Sequence, residues 1–177
     1  MLYLNVENTI DMNNKDLKDF LDDKVDLYLK PNFVVDDPIS IPHQFNLKED
    51  IEIAAFLTAT IAWGRRVMIM KNANMMMDIM DNSPYDFILN ASKQEVNKSL
   101  DFCHRTFQGV DLQTFIYSLR NIYQNHQGLE ACFYTDKEDM SFGISNFKQT
   151  FFSINHQVRT QKHISDPLKG SASKRLI

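Results

Sequence analysis

The sequence predicts an all-α domain, a compact array of helices joined by short loops. Three observations lead there. Apolar residues recur at spacings of three and four along most of the chain, no two segments alternate as paired strands would, and the breaks between periodic stretches span only a few residues. Composition agrees, because 44% of the 177 residues are hydrophobic and 11% aromatic, enough to bury a core and too much for a disordered chain. Five glycines, five prolines and no short period exclude collagen-like and repeat architectures.

The elements follow in order. Residues 1–14 read as a lead-in and 15–177 as a single domain. Over 15–29, Leu17, Phe20, Leu21, Val25 and Tyr28 form one apolar stripe with acids on the other face. Lys30-Pro31 ends it, and residues 31–46 are expected to be an extended connector because Pro38 and Pro42 bias their neighbours away from helix. Asn46 is a candidate cap, with Glu49 three residues on, for a heavily buried helix carrying Ile51, Ala54, Ala55, Leu57 and Ile61 and stopped at Gly64. A helix from Arg66 to Met80 turns Ile69, Ala73, Met76, Met77 and Met80 inward; the cluster Met68, Met70, Met75, Met76, Met77 and Met80 reads as core filling, with a soft-metal or promiscuous binding surface the alternative.

Ser83-Pro84 offers a cap and first-turn proline for a short helix, and Ser92-x-x-Glu95 is a capping box for the next. Asp111 opens a helix with Leu112, Phe115, Ile116, Leu119 and Tyr123 on one side, broken at Gly128 before a turn at 129–133. A further helix spans 139–154 through Ile144, Phe147, Phe151 and Ile154. A basic connector at 157–170 precedes Ser171 or Ser173, either of which would cap a last helix.

No apolar run approaches the ~18 residues of a membrane span, and the amino terminus lacks the basic and apolar regions of a signal peptide. Cys103 and Cys132 have no C-x-x-C spacing, so neither a disulfide scaffold nor a zinc knuckle is expected. A cytoplasmic protein without membrane contact is the expectation. Five histidines (His43, His104, His126, His156, His163) lack metal-ligand spacing, so no metal and no cofactor are expected.

Charge is unevenly distributed. Residues 1–52 hold twelve acids and five bases, whereas 155–177 hold five bases (Arg159, Lys162, Lys169, Lys174, Arg175) and the single acid Asp166. The tail is the stretch with affinity for polyanions. Within it, Lys169-Gly170-Ser171-Ala172-Ser173-Lys174-Arg175 places small residues where a backbone can approach a phosphate, although the P-loop spacing is absent. If Ser173 starts a helix, Lys174 lies in its first turn, where the positive dipole end disfavours an ammonium and favours a nucleophilic amine. Trp63-Gly64-Arg65-Arg66 puts two guanidiniums at a helix junction, a second place for a phosphate, with solvated arginines the plainer alternative. Asp36-Asp37-Pro38 reads as turn chemistry.

Several segments resemble one bacterial domain-of-unknown-function family: DDPISIPHQF (36–45), KEDIEIAAFLTATIAWG (48–64), NSPYDFILN (82–90), CHRTF (103–107), LRNIYQNHQGLEACF (119–133) and, most distinctively, RTQKHISDPLKGSASKRL (159–176). That family is in turn distantly similar to the helix-hairpin-helix DNA glycosylases of the archaeal oxidised-guanine type. The resemblance implies part of that fold, DNA binding in base-excision repair, and attack by a lysine on the sugar C1′. Its register puts Lys174 at the catalytic position. Arg159, Lys162, Lys169, Arg175 and Arg66 are then the candidate phosphate contacts. Family members carry a further Leu-Asp-Val-His-like stretch with the partner aspartate. A domain cut at its carboxyl end and lacking glycosylase activity is therefore expected. The expected partner is duplex DNA; the alternative is a non-catalytic interaction domain whose tail binds an acidic protein.

Overall fold

The computed structural model describes residues 13–137 and 139–175. These belong to two compact units, one ending at Asp36 and one running from Asp37, a boundary later than the lead-in of 1–14 read from the sequence. In the first unit, α1 (Asn14–Tyr28) starts at Asn13, whose Oδ1 accepts the amide hydrogens of Lys15 and Asp16 at 2.9 Å. No residue of α1 is buried. A short α2 (Pro31–Val35) follows where an extended connector was expected. Its proline stands at the first helical position, where the missing N–H costs nothing.

The second unit opens with two 3-10 turns, Pro38–Ser40 and Pro42–Gln44, again replacing extended chain by proline-initiated helical turns. Then come α3 (Lys48–Thr60), α4 (Arg66–Ile79), α5 (Pro84–Asn90), α6 (Lys93–Asn97), α7 (Gly109–Asn125), α8 (Leu129–Phe133) and α9 (Met140–Phe151). The all-α expectation holds. Strand structure among the described residues is a hairpin of two two-residue strands, β1 (Cys103–His104) and β2 (Phe107–Gln108), paired antiparallel.

Local signals decide some of these boundaries and tertiary contacts decide others. The capping box at α6 forms as its spacing predicts: Ser92 Oγ accepts from Glu95 N, and Glu95 Oε2 accepts from Ser92 N. Those bonds hold the Glu95 carboxyl below its usual range. Asn46 does not cap α3, whose N-cap is Leu47, without a side-chain capping bond. Ser83 does not cap α5 either; Asp50 of α3 accepts from Tyr85 N at 2.8 Å instead. The other end of α5 is closed by Arg120 of α7, whose guanidinium donates to the Ile88 and Ala91 carbonyls.

The core is aromatic at its centre. Phe56 of α3 meets Phe115 of α7 and Phe147 and Phe151 of α9 at centroid distances of 5.4–5.7 Å, and Phe107 of β2 meets Phe115 at 5.1 Å. Leu57, Leu112, Leu119 and Ile122 fill around them. Of the methionine cluster, Met76, Met77 and Met80 are buried in this core, while Met68 and Met75 are exposed. Ile51, expected inward, is exposed, and Ile53 takes the buried position. Two glycines permit backbone contact: a Cβ on Gly109 would stand 2.2 Å from the Leu100 carbonyl oxygen, and one on Gly143 2.3 Å from that of Phe133.

The basic connector is two 3-10 turns, Val158–His163 and Pro167–Lys169. Asp166 caps the second, and Gly170, at φ 83°, ends it in the left-handed conformation. The helix expected from Ser171 or Ser173 is not formed among the described residues. Ser173 has φ 44° and Lys174–Arg175 form a turn; 176–177 lie outside the described residues. The helix-dipole argument for a nucleophilic Lys174 therefore has no described helix to act through.

Candidate functional site

The end of α3, the hairpin and the tail converge on a cleft of about 900 Å³ lined by Ala59, Ala62, Trp63, Thr106, Lys162, His163, Lys174 and Arg175. Trp63 is the aromatic residue of its lining that His104, His163 and Arg175 meet. The chain leaves α3 at Thr60 and reaches Gly64, whose φ of 106° lets it turn toward α4. Trp63 is left half-buried at this corner. His104 meets it edge-on at 5.2 Å, and the His163 ring lies nearly parallel at 6.4 Å. The Arg175 guanidinium stands 5.0 Å from the indole centroid and donates to the Thr60 carbonyl at 3.0 Å.

Behind the cleft both histidines meet polar groups, and His104 is fixed by them. His104 Nε2 lies 3.2 Å from the Trp63 carbonyl, which can only accept, so this nitrogen carries the hydrogen; Nδ1 then accepts from Asn72 Nδ2 at 2.7 Å. His163 Nε2 stands 3.3 Å from Asp111 Oδ2, close but without hydrogen-bond alignment. Burial pushes the His163 imidazole below its usual range, against the attraction of Asp111. Enclosure thus favours the neutral ring.

Asp111 is fully buried at the start of α7. Its Oδ2 accepts from Gln108 N and Arg159 Nη1, both at 2.9 Å, and its Oδ1 from Thr160 Oγ1 at 2.7 Å. Arg159 also donates to the Thr106 carbonyl at 3.1 Å. One carboxylate thus collects the strand end, the helix start and the first turn of the tail.

Of the residues named from the sequence, the cleft gathers Lys162, Lys174 and Arg175. Lys162 and Lys174 are exposed and have no hydrogen bond or ion pair among the described residues. Arg159 instead faces Asp111. Lys169 lies outside the cleft lining, exposed and 3.8 Å from Asp166. Arg66 stands 3.9 Å from Asp37 beside a separate hollow of about 500 Å³. In the sequence His163 stood only as one of five histidines without metal-ligand spacing, and Asp111 only as a helix start. Trp63 was named only through its neighbours, although the lone tryptophan beside a glycine was a usable signal.

A wider concavity of about 1230 Å³ lies elsewhere, with Glu49, Glu52 and Glu130 in its lining against Lys48. Tyr123 donates to Glu52 there at 2.8 Å, and burial raises its phenol well above the usual range. Its charge is wrong for an anionic ligand. Among the described residues no three His, Cys, Asp or Glu side chains converge as metal ligands, and no helix is long and apolar enough to cross a membrane.

Residues 37–177 match a family model described as "Protein of unknown function (DUF2400)". The chain belongs to that family. The match begins at Asp37, where the second compact unit begins, so the family domain and the unit that builds the cleft are the same stretch of chain. Neither the curated proteins nor the solved structures give a match.

Proposed function

We propose that the DUF2400 domain binds DNA at the Trp63 cleft and belongs to the base-excision glycosylase lineage. The observation that carries the binding is the grouping of Lys162, Lys174 and Arg175 around one half-buried indole. Cations neutralise phosphates, and an indole face accepts an unstacked base; together they suit a nucleic acid better than a simple anion. The lineage rests on the family resemblance of the tail, which also gives Lys174 its place as nucleophile. In that role, which the resemblance gives to the full-length form, the lysine amine bonds to sugar C1′ as the bond to the base breaks, its proton leaves with the base, and the sugar ring opens. The resulting imine is reducible by borohydride.

A fluorescence titration with a duplex containing an abasic site tests the binding. We expect affinity to fall steeply with salt, and Lys174→Ala to weaken binding and lower the slope of log K against log salt by about one. Binding that is absent at low salt, or indifferent to salt, refutes the proposal. Borohydride trapping separates attack from binding. An adduct lost in Lys174→Ala supports the lysine, whereas tight binding with no adduct removes the nucleophile from the proposal.

A further inference from the structure

Asp111 has no part in the DNA contacts proposed above, although one turn beside the cleft faces it. Arg159, Thr160 and His163, all on the 158–163 turn, face this one buried carboxylate of α7. Lys162 lies within the same turn and enters the cleft from it. From His163 a line of contacts continues to Trp63 and then to Arg175. Asp111 already closes the capping box at the start of α7, and the tail turn adds the donors of Arg159 and Thr160 to the same fully buried carboxylate. Its donors come from residues 108, 159 and 160, so it joins the capped start of α7 to the tail turn, which Arg159 also ties to the hairpin through the Thr106 carbonyl.

We propose that Asp111 is the positioning residue of the cleft: the hydrogen bonds it accepts from Arg159 and Thr160, beside His163, set Lys162 and the Trp63–Arg175 pair in place for an anionic ligand. This rests on the DNA reading only for the identity of that ligand. An asparagine at 111 keeps one acceptor for Thr160 but turns an amide N–H₂ toward the donors of Arg159 and Gln108. The turn is then released, while the aromatic centre of the core is not touched directly.

Trp63 is the only tryptophan, so its emission reports on the cleft alone. In the wild type, the surrounding cations draw iodide to the indole, and quenching by iodide exceeds what neutral acrylamide leads one to expect. In Asp111→Asn, compared at a temperature where its helical circular dichroism equals that of the wild type, release of the turn lowers this excess toward the value for free tryptophan, against the rise that loss of one negative charge gives on its own. Binding to the abasic duplex weakens in parallel, with a salt slope shallower by about one. An unchanged iodide-to-acrylamide ratio in Asp111→Asn overturns the proposal. If that variant does not fold, Thr160→Val decides: it removes one donor and leaves the carboxylate, and a wild-type ratio there overturns the proposal equally. Loss of the iodide excess in a protein whose wild type ignores DNA upholds the positioning role and refutes the DNA reading.

Discussion

Trp63 and His163 show what burial does to individual side chains at this site. The imidazole is almost completely enclosed between Phe107, Trp63 and Asp111. Its affinity for a proton is lowered by that enclosure first, and by the nearby Lys162 and Arg159, with Asp111 opposing. In the unfolded chain the same group protonates below a pH of about 6.5. The unfolded state therefore binds more protons as the pH falls, and stability at this position is lost on going down through that value. Between pH 8 and pH 5.5 the wild type should lose more melting temperature than His163→Leu does, measured by thermal denaturation of the two proteins side by side. A steeper loss in the variant excludes a neutral buried imidazole. None of this was legible beforehand, because a histidine in a basic connector has no sequence mark that says which way it points.

The elements separate signals carried within one turn from signals carried across the fold. Ser92 and Glu95 are three residues apart, so the start of α6 was legible. Asp50 and Tyr85 are thirty-five apart and Arg120 lies beyond both, so neither end of α5 could be assigned its partner from spacing. The connector after Lys30 was misread for a related reason. Proline removes one donor, and that is tolerated as well in the first turn of a short helix as in extended chain. Gly109 belongs to this scale too. The first residue of α7 lies against the Leu100 backbone, and a methyl group there meets backbone atoms that no rotamer change can move aside. Gly109→Ala should therefore lose about 1–3 kcal/mol of stability, read as a lower urea midpoint at unchanged slope.

At the scale of the whole family domain, the described residues close around five phenylalanines from α3, β2, α7 and α9. Phe151 touches Phe56, Phe115, Phe147 and Phe152 and is fully buried. Phe151→Ala should lose about 3–5 kcal/mol, measured by denaturant unfolding, and a loss under 1 kcal/mol would show that this ring is not central. The cleft lies where the end of α3, the hairpin and the tail meet, so its integrity depends on that same closure.

By itself the sequence determined the class of fold, most helix positions, the basic character of the tail and the family. Each of these is written in periodicity, in pairs three or four residues apart, or in a contiguous stretch of similar residues. Tertiary structure alone decided which cations share a cleft, that Arg159 faces Asp111, and that His104, His163 and Arg175 meet Trp63. Such groupings bring residues around 60, 104, 111 and 160 to within a few ångströms. Chain separation has no bearing on that distance until the core has closed.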